Sequence, residues 1–292
     1  MMINELFAFY KPLIENRIDE LLPEADLPYN EVVKAARYSL KLGGKRIRPI
    51  LMMEFCRMFG GNIEQALDFA IALEMIHTYS LIHDDLPCMD NDDFRRGKPS
   101  CHKAFSEEIA LLAGDALLTE AFTVCSNANV NDSIKVKAVA ILSKMSGFSG
   151  MLGGQVIDLS FVKNPPDMDA LCDMYARKTG CLLRAACTIG AIIGGADDDC
   201  INSADLFAQK VGLAFQIIDD ILDVIADPEL LGKPVGSDDK NNKTTFVTLL
   251  GLDGAKLAAK NLTDEALQIL SDFKGEKKNL EVITQYLLLR NF

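Results

Sequence analysis

The sequence predicts an all-α fold: a single large antiparallel helix bundle, read as one domain over 1–292. Three observations predict it. Tryptophan is absent and aromatic residues make up 7% of the chain, while Leu, Ala, Ile and Met are abundant, a composition that favours helix over strand. Apolar residues recur at helical spacing in stretches punctuated by Gly-Gly and Pro. No stretch carries a convincing strand pattern, and no short-period repeat is present.

Residues 2–22 read as an amphipathic helix ended near Pro23, and 29–42 as a second, closed by Gly43-Gly44. Pro49 suits the first turn of the next, about 48–59, which Gly60-Gly61 ends. A long apolar helix over 63–86 runs into Asp84-Asp85. Helices over 106–127 and 132–147 follow a polar loop. Gly147, Gly150, Gly153 and Gly154 are expected to loosen the chain before Gln155 and Asp158. Pro165-Pro166 marks a loop, and Asp167 suits the N-cap of a helix from 168. Gly180 is expected to interrupt that helix before it resumes to about Ala196. A second long apolar helix, 201–226, ends in Asp219-Asp220-Ile221-Leu222-Asp223. The Gly/Pro/Lys/Asp loop 228–243 reads as a mobile lid element, and two or three helices finish the chain.

The net charge of −12 argues against nucleic acid as a partner. It also means that an anionic substrate needs local basic groups or a metal. None of the eight cysteines forms Cys-x-x-Cys, which suits reduced thiols in a cytoplasmic protein. The N-terminal stretch mixes charge with apolar residues, unlike a signal peptide. The longest uncharged apolar run, 185–196, falls short of the ~20 residues of a membrane span, so none is expected.

The chemistry is concentrated in two acidic clusters. Asp84, Asp85, Asp90, Asp92 and Asp93 lie close together and are followed by Arg95 and Arg96. Such oxygen donors favour Mg²⁺ or Ca²⁺ over zinc, and adjacent arginines point to a phosphate-bearing substrate. Asp84 and Asp90 would face different sides of an unbroken helix at roughly 100° per residue. Pro87 ends or bulges the helix and lets Asp90 curl back. In the second cluster Gln216, Asp219 and Asp223 share one stripe, with Asp227 a turn further on. Carboxylates on so apolar a helix need a cation. The clusters suggest opposing walls of one cavity where Mg²⁺ grips a diphosphate. Lys45, Arg48, Arg95, Arg96, Lys178, Lys233 and Lys243 lie at helix breaks or in loops, within reach of anions. His77 aligns with Ser80 and Asp84, and its role stays open between structural and functional.

In order and spacing, several motifs between about 40 and 250 resemble the trans-prenyl diphosphate synthase family, most closely its bacterial farnesyl diphosphate synthases. They are Gly43-Gly44-Lys45-Arg46-Ile47-Arg48-Pro49, Asp84-Asp85 through Asp90 with Arg95-Arg96-Gly97, Gly114-Asp115, Gly153-Gly154-Gln155 with Asp158, Lys178-Thr179-Gly180, Phe215-Gln216 with Asp219-Asp220 and Asp223, and Gly232-Lys233. The resemblance implies the isoprenoid synthase type I fold around a deep central cavity, and a homodimer. It implies Mg²⁺-dependent head-to-tail condensation of isopentenyl diphosphate with dimethylallyl and geranyl diphosphates to give farnesyl diphosphate. Three Mg²⁺ ions would bridge the allylic diphosphate to Asp84, Asp90 and Asp219. Arg95, Lys178, Lys233 and Lys243 would hold that diphosphate, and Thr179 and Gln216 would turn oxygens toward the allylic cation. Lys45, Arg48, His77 and Arg96 would hold isopentenyl diphosphate. Tyr79 and Ser80 would govern chain length, and a bulky residue at Tyr79 implies a C15 product. The alternative within the family is geranylgeranyl diphosphate synthase. A terpene cyclase would lack the second Asp motif, and a non-catalytic subunit would have lost one. No twelve-residue Ca²⁺ loop accompanies the clusters, and no Ser-His-Asp or Cys-His arrangement is evident.

Overall fold

The computed structural model describes residues 2–225 and 243–288. Lys233, Asp227 and nearly all of the loop read as a lid lie outside the described residues. The first helices are α1 (Ile3–Leu21), α2 (Asn30–Lys41), α3 (Ile47–Met58) and α4 (Ile63–Asp84). A two-residue antiparallel ladder, β1 (Phe94–Arg95) with β2 (Lys98–Pro99), precedes α5 (Cys101–Ala104). Then come α6 (Glu107–Asn127), α7 (Asp132–Ser146), α8 (Met151–Phe161) and α9 (Met168–Tyr175). A π-helical turn at Ala176–Gly180 joins α9 to α10 (Cys181–Ile193), and α11 (Asp198–Ile225), α12 (Phe246–Asp272) and α13 (Lys278–Leu288) complete the chain.

Several helices begin where a side chain satisfies free backbone N–H groups. Asn62 accepts from Glu64 N at 3.0 Å, Ser106 from Ile109 N at 3.2 Å and Asp167 from Ala170 N at 2.9 Å. The buried apolar side chains form one contiguous cluster. Helix α4 is buried along nearly its whole length, so it is the axis on which the other helices pack. It lies against α3 and α6, α10 lies against α3 and α11, and α11 lies against α12. Helix α6 is the one described helix long and apolar enough, by length and composition, to cross a membrane; here it packs on α4 and α2.

The structure departs from the sequence reading at three places. Gly153 and Gly154 lie within α8 rather than in a loosened segment. Gly154 is there because α8 approaches the π turn closely: a Cβ at Gly154 would overlap the Lys178 backbone nitrogen. Gly180 does not interrupt its helix, which widens into the π turn and continues. The small β1–β2 ladder carries too few residues to show a strand pattern.

Between α2 and α3 the chain turns with Arg46 in the left-handed region, at φ 53°. That conformation is uncommon for a non-glycine residue, and here the side chain's partners hold it. The guanidinium is buried and donates to Glu74 Oε1 and Glu15 Oε1, each at 2.8 Å, and to the Leu40 carbonyl. This Glu-Arg-Glu brace ties α1, the α2–α3 turn and α4 together, directly beside Lys45 and Arg48. Arg46→Ala would strand the buried Glu74 carboxylate, and urea unfolding should show a stability loss of about 3–5 kcal/mol. A loss under about 1 kcal/mol, the scale of a surface pair, would contradict the brace.

Candidate active site

Asp84 is the last residue of α4 and Asp85 its C-cap. After Pro87 the chain reverses, and Asp90 N donates to the Asp84 carbonyl at 2.8 Å. The break brings Asp90 close enough to Asp84 for their charges to interact. Asp84 sits where the helix dipole is negative, a place that repels carboxylates and attracts cations. Burial pushes its carboxyl up from 3.8 to about 6; the Asp90 and Asp85 charges add to this, while Lys178 and Arg95 oppose it. A cation would relieve all three adverse effects.

The two acids of this pair have different partners. Asp84 Oδ1 accepts from Gln155 Nε2 at 2.9 Å, on α8. Asp85 is buried and ion-paired to Arg95, whose Nε donates at 3.1 Å and 3.2 Å. Arg95 is therefore already engaged by a carboxylate, and Asp92 is 3.6 Å away as well. Burial raises the Asp85 carboxyl, and Arg95 draws it back down.

The second cluster divides in the same way. Asp219 and Gln216 are partly exposed on α11, and Gln216 Nε2 donates to Asp219 Oδ2 at 3.3 Å. Asp220 and Asp223 are buried. Asp220 accepts from Tyr175 OH at 2.8 Å and from Phe246 N at 2.8 Å. The π turn completes the connection between the walls. Thr179 Oγ1 donates to Gln216 Oε1 at 2.8 Å, and Lys178 Nζ reaches Asp158 Oδ2 at 2.6 Å. Asp158 and Gln155 are three apart on α8 and share its face. Polar side chains thus run from Asp84 through α8 and the π turn to Asp219. Gln155, Asp158, Asp85 and Asp220 carry no role in the sequence reading beyond motif membership, and Tyr175 is not singled out there; their partners lie 10 to 71 positions away.

Basic groups gather around His77, seven residues before Asp84 on nearly the same face of α4. The His77 imidazole is held well below its usual pKa by close packing and by Arg48, Arg96, Arg95 and Arg46 around it, so it is neutral. Ser80 turns its hydroxyl back to the His77 carbonyl at 2.8 Å. Arg96, with φ 54°, lays its guanidinium against Gly44 and donates to the Gly43 carbonyl. Gly44 has φ 113°, a backbone conformation that favours glycine, and a Cβ there would push the Arg96 guanidinium aside. Exposed Lys45 lies over the Tyr286 ring at 4.8 Å from its centroid, a contact invisible to motif reading. Lys243 is exposed just ahead of α12. Tyr79 is buried, 6% exposed, with its ring edge-on to His83 at 5.7 Å. A cleft lined by Ser39, Thr78, Asp85, Arg95 and Arg96 opens beside the first motif, and a groove of about 400 Å³ lies between α2 and α6.

Among the described residues, no three His, Cys, Asp or Glu side chains converge to hold a metal by themselves. The acids form two sets at two helix ends. That suits Mg²⁺, which binds through one or two carboxylates and completes its shell with water and substrate phosphate.

A family model described as polyprenyl synthetase matches residues 29–286. A farnesyl diphosphate synthase of Micrococcus luteus is 42% identical over 290 residues, covering 99% of this chain and all of that one. A geranylgeranyl diphosphate synthase of Cyanophora paradoxa is also 42% identical, over 96% of this chain and 94% of that one. Among solved structures, a geranyltransferase of Helicobacter pylori complexed with magnesium and isoprenyl diphosphate superposes with a TM-score of 0.82. It is 35% identical, over 98% of this chain and 97% of that one.

Asp84 binds a proton more tightly in the folded protein than in the unfolded chain. Its contribution to metal-free stability is therefore fully present below pH about 4 and lost as pH rises through about 6. Asp84→Asn should flatten this part of the stability–pH curve in chelator-treated protein, measured by urea unfolding. An unchanged slope would contradict the assigned environment.

Proposed function

The chain belongs to the polyprenyl synthetase family and has the all-α isoprenoid synthase fold, and on that premise we propose that it makes farnesyl diphosphate. It would condense isopentenyl diphosphate with dimethylallyl and then geranyl diphosphate, head to tail, releasing diphosphate at each step. The observation that carries this reading is the run of polar side chains from Asp84 through Gln155, Asp158, Lys178 and Thr179 to Gln216 and Asp219. It supports a reading in which oxygen ligands on two walls flank a lysine and two neutral oxygens.

Asp84, Asp90 and Asp219 would hold Mg²⁺, with three ions when the allylic diphosphate is bound. Bound there, Mg²⁺ supplies charge neutralisation for the departing diphosphate. Lys178 and Arg95 are placed to share that task, and Lys243 approaches from the segment before α12. As the C–O bond breaks, Thr179 and Gln216 present oxygens to the allylic cation without acting as nucleophiles. The hydrogen bond that Thr179 Oγ1 donates to Gln216 Oε1 preorganises both oxygens, so little reorientation is needed as charge develops. Lys45, Arg48 and Arg96 would hold the diphosphate of isopentenyl diphosphate. Neutral His77 can hydrogen-bond a phosphate oxygen without adding to the crowded positive charge. The double bond attacks the cation, and the released diphosphate takes the proton. The apolar walls exclude the water that would quench the cation.

Relatives of equal identity carry farnesyl and geranylgeranyl names, so the C15 product rests on Tyr79. Its buried ring lies little more than one helical turn before Asp84, where it can close the end of a chain pocket. The protein would act as a homodimer in the cytoplasm, with half-exposed Leu111 and Leu112 on α6 offering apolar contact surface.

Incubation with Mg²⁺, isopentenyl and dimethylallyl diphosphates should give a C15 product by chromatography; a C20 product would favour geranylgeranyl diphosphate synthase. Tyr79→Ala should lengthen the product, and a clean C15 stop in that variant would remove Tyr79 as the gate. Asp84→Ala and Asp219→Ala should each lower kcat by about 10³-fold with unchanged helical circular dichroism. Near-normal turnover in either would overturn its metal assignment.

A further inference from the structure

Besides Arg95 on β1, three separate elements supply described groups proposed to hold the allylic diphosphate. Lys178 and Thr179 come from the π turn, Gln216 and Asp219 from α11, and Lys243 from the segment entering α12. One carboxylate touches all three elements. Asp220 Oδ1 accepts from Tyr175 OH at 2.8 Å and Oδ2 accepts from the same hydroxyl at 3.0 Å. Oδ2 also accepts from Phe246 N at 2.8 Å. Tyr175 is the last residue of α9, three before Lys178. Phe246 is the first residue of α12, three after Lys243. The Tyr175 and Phe246 rings stack at 6.0 Å with 17° between planes. Tyr175 and Asp220 are 8% and 6% exposed, so water competes little for these bonds. Asp220 is one residue from Asp219 and about 100° around the helix, which turns it from the site into the packed side.

We propose that Tyr175 and Asp220 are positioning residues for the allylic half of the reaction. The Tyr175 hydroxyl, through the Asp220 carboxylate, sets the spacing between the Lys178–Thr179 turn and the Gln216–Asp219 face, and fixes the strand of chain that carries Lys243. The inference rests on the proposed diphosphate chemistry of this site. It assigns a job to the second aspartate of the Asp219-Asp220 pair that metal ligation does not.

Binding of inorganic pyrophosphate in the presence of Mg²⁺, followed by calorimetry, reads this node without turnover. Tyr175→Phe removes only the hydroxyl. It should weaken pyrophosphate binding about tenfold, the scale of one hydrogen bond to a charged group. In steady-state assays the KM for dimethylallyl diphosphate and the Mg²⁺ half-saturation should rise together, with the KM for isopentenyl diphosphate unchanged. Phe246→Leu serves as the structural control. It loses the ring stack but keeps the backbone N–H on Asp220, so it should lower the melting temperature and leave the allylic KM in place. Unchanged pyrophosphate binding in Tyr175→Phe would overturn the proposal, as would a uniform rise in all three kinetic constants matching that of Phe246→Leu. If wild-type protein binds pyrophosphate with the predicted sensitivity yet makes no prenyl diphosphate, the proposed activity fails and the positioning role stands.

Discussion

Asp84 carries a negative charge at the C-terminal end of a buried helix, where the backbone dipole, the surrounding apolar packing and two nearby carboxylates all oppose it. The site around it offsets these three effects. Gln155 donates a hydrogen bond, Lys178 lies near enough to counter the charge, and the remaining deficit is what a divalent cation would fill. The same logic holds at the far end of α11, where Asp219 is held by Gln216 and, through Thr179, by the π turn. The π turn itself follows from this demand. Widening the helix at Ala176–Gly180 turns Lys178 toward α8 and Thr179 toward α11, and Gly154 gives up its side chain so that α8 can come close.

Each acidic pair splits into one residue that faces the site and one that ties the fold together. Asp85 is buried against Arg95, and Asp220 against Tyr175 and the start of α12. A buried carboxylate with only one satisfied oxygen would be costly, and both of these have hydrogen bonds to each oxygen. The arrangement keeps the local acid count high, while only part of that charge is left outside the internal pairs. The arginines divide likewise. Arg46 is consumed by Glu15 and Glu74 inside the brace, while Lys45 next to it is exposed and Arg48 lies near His77.

Helix positions were legible in the sequence because their causes are local. Capping residues, Gly-Gly stops and apolar periodicity act within a few positions, so α3, α4, α6, α7 and α11 begin and end within a few residues of where those signals place them. The break after Asp84 was legible for the same reason: Pro87 acts on its immediate neighbours. The readings of Gly153, Gly154 and Gly180 as points of weakness went astray because glycine has two uses. It frees a backbone, or it makes room for another one, and only the second applies at Gly154, where the neighbour is 24 positions away.

The sequence by itself determined an all-helical chain with two acidic helix ends, a proline that reverses the first of them, and basic residues at the breaks. Tertiary structure alone decided which aspartate of each pair faces the site. Adjacent residues on a helix point about 100° apart, and only the helices packed alongside determine which direction is interior. It also decided that burial, and then four arginines from other parts of the chain, hold the His77 pKa well below its usual value, and that Arg46 is engaged within the fold. Charge and hydrogen-bond capacity are properties of a residue type. Whether they are spent on a neighbour or left for a ligand depends on partners far away in the sequence.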